Sequence, residues 1–215
     1  MPTLLELFSG SGSVSAAFRA RGWDTITLDS DRRCKADLAM DILKFEPSEH
    51  LPPGTKVDVI WASCPCQWYS TARNWKPATP EELAFADSLV YKVLEIAKNL
   101  GCDSLFIENP ARGKLKHRGI LDHLHVREVH YCKYGKEYLK PTNIWTTSSW
   151  VPKQALCRHD CHASIFSLIT KHLRHRENLG KKNKSSKERI ASIPPLLCEE
   201  IAEFCDDNWV GGAES

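Results

Sequence analysis

Three kinds of reactive group stand where apolar segments of this chain stop. Pro65-Cys66-Gln67 follows Asp58-Val59-Ile60-Trp61-Ala62, so a thiol lies just past a strongly apolar run. Pro65 fixes its own φ and lacks an N–H, which stiffens the turn beside that thiol. The thiolate is the nucleophilic form, and a free cysteine of pKa about 8.5 is only a few per cent ionised at neutral pH. No neighbour in sequence is an evident base, so activation would have to come from backbone N–H groups or from bound substrate. Glu108 ends Leu105-Phe106-Ile107 and is followed by Asn109-Pro110. A carboxyl placed there can act as a general acid; the plainer reading is a glutamate that caps the loop with Asn109. Upstream, Leu4-Leu5-Glu6-Leu7 runs into Phe8-Ser9-Gly10-Ser11-Gly12, a loop whose glycines let backbone approach a ligand closely. Cys64 reads as a structural cysteine.

These groups gain meaning from the elements that must carry them. Residues 3–8 read as a strand, followed by a helix from Val14 to Arg21 that Gly22 ends. Thr25 to Leu28 reads as a second strand ending at Asp29, where an acid can accept from ribose hydroxyls. Met40-Asp41-Ile42 reads as a third acidic strand end; Asp41 there suits an exocyclic amine or, equally, a helix cap. Lys56 to Ala62 forms a fourth strand leading to Cys66. Thr79-Pro80-Glu81-Glu82 has the marks of a helix opening, and apolar residues then recur at a period near 3.6 as far as Ala97. Gly101 closes that helix and Asp103 to Ile107 returns as a strand. Strands and helices alternating on this scale predict an α/β fold with a mostly parallel, doubly wound sheet. Tyr131 to Trp150 turns strand-rich, which predicts a hairpin at the sheet edge. A last amphipathic helix begins after Ile193-Pro194-Pro195-Leu196.

With 215 residues, 42% of them hydrophobic, the chain fits one domain with a small appendage. Charges break the apolar runs before the roughly twenty residues that a membrane span needs. Met1-Pro2-Thr3 leads straight into the first strand, so the expectation is a soluble intracellular protein, nuclear or cytoplasmic according to its host. The nine cysteines are an odd count; Cys102, Cys198 and Cys205 lie in apolar runs and read as small buried hydrophobes. The net charge of +2 hides an uneven distribution: Val151 to Ile190 holds ten Lys or Arg against three acids, whereas Ala191 onward has six acids and no Lys or Arg. A basic segment in a nearly neutral chain predicts a local polyanion contact, against the alternative of a solvated loop. Lys181, Lys182, Lys184, Lys187 and Arg189 are its candidate phosphate contacts.

In order, Phe8-Ser9-Gly10-Ser11-Gly12, Leu28-Asp29, Asp41-Ile42, Pro65-Cys66-Gln67-Trp68-Tyr69-Ser70 and Glu108-Asn109-Pro110 resemble the motifs of the cytosine-C5 DNA methyltransferases. The likeness spans roughly residues 3–150 and returns near 188–205. It implies a Rossmann-like S-adenosylmethionine-dependent fold in a short, virus- or phage-like member of the family. Phe8, Gly10 and Gly12 would line the S-adenosylmethionine site, with Asp29 on the ribose and Asp41 and Ile42 at the adenine. Cys66 would add to C6 of cytosine while Glu108 protonates N3; Pro65, Gln67, Ser70, Asn109 and Lys140 would surround the base. The substrate implied is DNA, the same chemistry on RNA and an idle cofactor- or DNA-binding module being the alternatives.

The chain departs from the family pattern in three places. Tyr69 and Pro110 replace the usual phenylalanine and valine. After Tyr134-Gly135 the family carries a Gln-x-Arg-x-Arg strand, whereas here no arginine occurs and Lys140 is the nearest cation, one that cannot form a bidentate fork. The separate target-recognition domain is also missing. The expected organisation is therefore a catalytic core over 1–150, a small, irregular and basic insert over 151–190 and a C-terminal helix over 191–215 that packs back on the core. Within the insert Cys157, Cys161, His172 and His175 supply enough ligands for a tetrahedral zinc site, although the spacing is not that of a standard finger and unligated surface residues are the plainer reading.

Overall fold

The computed structural model describes residues 1–71, 77–167, 172–175 and 192–209, the side chains of 165–167 and 172–175 excepted. Its centre is a six-stranded sheet built from β1 (Thr3–Leu7), β2 (Asp24–Leu28), β3 (Val59–Ser63), β4 (Ser104–Pro110), β5 (His125–His130) and β6 (Pro141–Thr146), in the order β2-β1-β3-β4-β6-β5. The β1–β2, β1–β3 and β3–β4 pairs are parallel, and β6 runs antiparallel to both its neighbours. The sheet is thus mixed but mostly parallel, as expected.

Helices cover both faces, which is why β1 is buried along its whole length and β3 at all but its last residue. On one face Leu5, Ile60, Leu105 and Ile107 pack with Leu89, Val90, Val93 and Ile96 of α3 (Pro80–Asn99), which follows the single-turn α2 (Pro47–His50). On the other, Leu4, Trp61 and Phe106 pack with Val14 and Phe18 of α1 (Ser13–Arg19) and with Leu197 and Ile201 of the last helix, Pro195–Asn208. The opening of α3 follows the sequence reading closely. Thr79 accepts from Glu82 N while the Glu82 carboxylate accepts from Thr79 N, a complete capping box with Pro80 behind it.

Three expectations need correction. No strand ends at Met40-Asp41-Ile42: Leu28 and Leu38 form an isolated bridge, and Asp41 caps a 3-10 turn over Ile42–Lys44 by accepting from Leu43 N at 3.0 Å. The edge strand is β5, before Tyr131, and β6 lies inside the sheet between β4 and β5; Tyr131–Tyr134 is a 3-10 turn. The basic insert is not wholly irregular, since β7 (Ser164–Ser167) and β8 (His172–His175) pair as an antiparallel hairpin. No helix among the described residues is long and apolar enough to cross a membrane.

Candidate active site

Going from β1 to β2 the chain moves one way across the sheet, and β3 lies on the other side of β1. Open α/β sheets bind ligands at such a reversal, beyond the carboxyl ends of the strands. The carboxyl ends of β2, β1, β3 and β4 carry, in spatial order, Asp29, the 8–12 loop, the Cys66 loop and Glu108.

The 8–12 loop is unusually contorted and firmly held. Phe8, Gly10 and Gly12 all have positive φ, at 56°, 51° and 65°. For a phenylalanine this conformation costs on the order of 1 kcal/mol or more, and such strain clusters at ligand sites. Asp29 pays that cost in part: one carboxylate oxygen accepts from Gly10 N at 2.9 Å and the other from Asp31 N at 2.8 Å. Gly12 N closes the turn onto Ser9 O at 2.8 Å. An added Cβ would meet nothing within 4 Å at Gly12 and only Phe8 O, at 3.9 Å, at Gly10, so the loop backbone stands open to a ligand. Beneath it, buried Glu6 accepts from Ser15 N at 2.9 Å and from the Ser15 hydroxyl, tying β1 to α1. Burial raises the Glu6 carboxyl above its usual 4.5, with the Ser15 bonds pulling the other way. Asp41 is exposed and Ile42 is buried in the core.

The Cys66 loop is anchored around its thiol. Asn109 Nδ2 donates to Cys64 O at 2.9 Å, the Tyr69 hydroxyl donates to Asp87 at 2.9 Å, and Tyr69 O accepts from Lys114 N at 2.9 Å. Arg118 clamps Asp87 from the far side. Tyr69, the departure from phenylalanine, thus uses its hydroxyl. Of the two cysteines flanking Pro65, Cys64 is buried and its thiol is pushed far up by desolvation and then by the Glu108 charge, whereas Cys66 is exposed. Gln67 is exposed as well, and Pro65 and Ser70 are half-buried.

Glu108 is only 5% exposed and pairs in register with Ser63, the last residue of the strand that leads to Cys66. Its Oε1 accepts from the Tyr131 hydroxyl at 3.0 Å and meets Lys140 Nζ at 3.3 Å. Lys140 also lies 4.6 Å over the Tyr131 ring. The lysine at the place of the absent arginines is therefore held on Glu108 and Tyr131. Asn109 is fully buried, and its Oδ1 has no partner among the described residues. Tyr131 escaped the sequence reading, as did Cys132, whose sulfur lies with those of Cys157 and Cys161. Lys181, Lys182, Lys184, Lys187 and Arg189 lie outside the described residues.

Among solved structures, a methyltransferase of Entamoeba histolytica, EhMeth, superposes with a TM-score of 0.57 at 11% identity, covering 97% of this chain and 98% of that one. A prophage-encoded E. coli protein, described as a DNA modification methyltransferase, gives 0.53 at 16% identity over 68% of this chain and 46% of its own. The fold is that of the Rossmann-like S-adenosylmethionine-dependent methyltransferases. A probable DNA (cytosine-5)-methyltransferase of Frog virus 3 (isolate Goorha) is 29% identical over 218 residues, 94% of this chain and 99% of the relative. That likeness runs over nearly the whole of both chains and agrees with the ordered motifs of the sequence. No family model matches it.

Proposed function

We propose that this enzyme methylates C5 of cytosine in DNA through a covalent bond between Cys66 and C6 of the base. The observation that carries the reading is the placement of the Cys66 loop and Glu108 on adjacent strand ends, joined by the Ser63–Glu108 register and the Asn109–Cys64 bond. S-adenosylmethionine supplies the methyl group. The open backbone of Gly10 and Gly12 fits that cofactor, and each Asp29 oxygen, having taken one amide, keeps a second lone pair for a ribose hydroxyl.

Cytosine C5 is a poor nucleophile until C6 is attacked. The Cys66 thiolate adds to C6, and the C5–C6 π electrons become available at C5 for the new carbon–carbon bond. Glu108 delivers a proton to N3 and so limits charge on the ring as the thiolate adds. Tyr131 and Lys140 hold the Glu108 carboxyl in place, and Lys140 adds a positive charge beside the base. Loss of the C5 proton to a base then restores the C5–C6 double bond and expels the Cys66 thiolate, and N3 returns its proton to Glu108. In a duplex the cytosine must first leave the stack, at a cost of a few kcal/mol that pocket contacts offset.

The test uses a DNA duplex carrying 5-fluorocytosine, which blocks the last step and traps the adduct. With labelled S-adenosylmethionine, a denaturant-stable protein–DNA band should form and vanish in Cys66→Ser. Trapping on RNA alone would transfer the chemistry to RNA. Cofactor binding with no adduct on either would leave an idle module and end the proposal. Bisulfite sequencing of treated DNA then reads the sequence context.

A further inference from the structure

Away from the strand ends, a second cluster of sulfur has no part in methyl transfer. Cys132 lies in the 3-10 turn after β5 and is fully buried; Cys157 and Cys161 come from the insert and are half-buried. The three sulfurs lie within 4.8 Å of one another. In a tetrahedral site with Zn–S bonds of about 2.3 Å, sulfurs stand about 3.8 Å apart, so the three need only a slight contraction. We propose that Cys132, Cys157 and Cys161 hold a structural zinc ion. Cys132 joins the two cysteines of the expected set; the side chains of His172 and His175 lie outside the described residues.

The surroundings are those of a built site. Cys157 N donates to His130 Nδ1 at 3.0 Å, so the proton sits on Nε2 and faces Glu128 at 3.0 Å. Both His130 nitrogens are thereby committed, which makes it a support for the Cys157 backbone and removes it from the ligands. Asp160 accepts from Arg158 N at 3.0 Å and from Lys133 at 2.8 Å, binding the 157–161 turn to the turn that carries Cys132. His159, at φ 64°, bends the chain so that the two insert cysteines come together. The Ser164 hydroxyl lies 3.3 Å from the Cys161 sulfur. Thiolate ligands select zinc among the common divalent ions. The three thiols release their protons to solvent as the metal binds, with no change of oxidation state.

Such an ion would staple an insert too small for a core of its own to the residue after Tyr131, and Tyr131 is the donor to Glu108. The cluster stands whether or not the chain methylates DNA, and its test does not need activity. Elemental analysis of the full chain expressed with zinc should find one Zn2+ per molecule, and Cys132→Ser, Cys157→Ser and Cys161→Ser should each lose it, while Cys34→Ser keeps it. Replacement by Co2+ should give the visible spectrum of a tetrahedral centre with sulfur-to-metal absorption, and Cys132→Ser should abolish it. Since a ligand variant can misfold, the wild-type chain provides a second reading: three thiols should resist alkylation until a chelator is added. Metal-free wild type with reactive thiols, a Cys157–Cys161 disulfide in its place, or full zinc in Cys132→Ser would overturn the proposal.

Discussion

The two halves of the row of strand ends are held by different means. At β2 and β1 the work is done by main chain: the Asp29 carboxylate binds two backbone amides and fixes the 8–12 loop. At β4 and β6 it is done by side chains: Glu108 is met by the hydroxyl of Tyr131 and the ammonium of Lys140, both distant in sequence. A donor of constant shape can be gripped by a rigid loop. A base that is attacked and protonated needs groups that respond to charge, and those are side chains. The difference predicts that cofactor binding and chemistry come apart under mutation.

The widest separation is expected from Glu108→Gln and Asp29→Asn measured together. Glu108→Gln should lower kcat by about 10²–10⁴ with the S-adenosylmethionine Kd unchanged, since it removes only the proton donor. Asp29→Asn should weaken cofactor binding about tenfold or more and leave kcat at saturating cofactor within a few-fold. Calorimetric Kd values beside single-turnover rates decide the matter; a Glu108→Gln chain that loses the cofactor would erase the division.

The same division explains what the sequence disclosed. Residues positioned by backbone sit at fixed offsets from strand ends, so Gly10, Gly12, Asp29, Cys66 and Glu108 could be found by pattern. Tyr131 could not, because its partner lies 23 residues away and β5, which delivers it, has no legible period. His125-Val126-Arg127-Glu128-Val129-His130 puts its two valines on opposite faces, as an exposed edge strand can. Cys132 was hidden for a similar reason: one cysteine beside a tyrosine signals nothing until the fold brings Cys157 and Cys161 to it. Met40-Asp41-Ile42 misled in the opposite direction, since an apolar residue on each side of an aspartate suits a capped 3-10 turn as well as a strand end.

Tyr131→Phe sharpens the side-chain half. The ring that Lys140 overlies is retained and only the hydroxyl bonded to Glu108 is lost. A fall in kcat of about tenfold is expected, with the pH–rate profile displaced and cofactor binding unaltered, and a stability cost of about 1 kcal/mol. Tyr131 is a positioning residue, so a variant that loses stability but keeps its rate and pH profile would reduce it to packing.

The smallest effect belongs to the main-chain half, at Glu6. Its carboxyl is raised above 4.5 by burial, so the folded state holds a proton that the unfolded chain has released. The stability this provides is full below pH 4.5 and is lost as pH rises through the folded value. Glu6→Gln keeps an oxygen for Ser15 N and cannot ionise. Denaturant unfolding of the two chains at pH 5 and pH 8 should therefore show the variant gaining on wild type as pH increases. An equal loss at both pH values would mean that the carboxylate, and not its acid form, ties β1 to α1, and the backbone half would then depend on a buried charge after all.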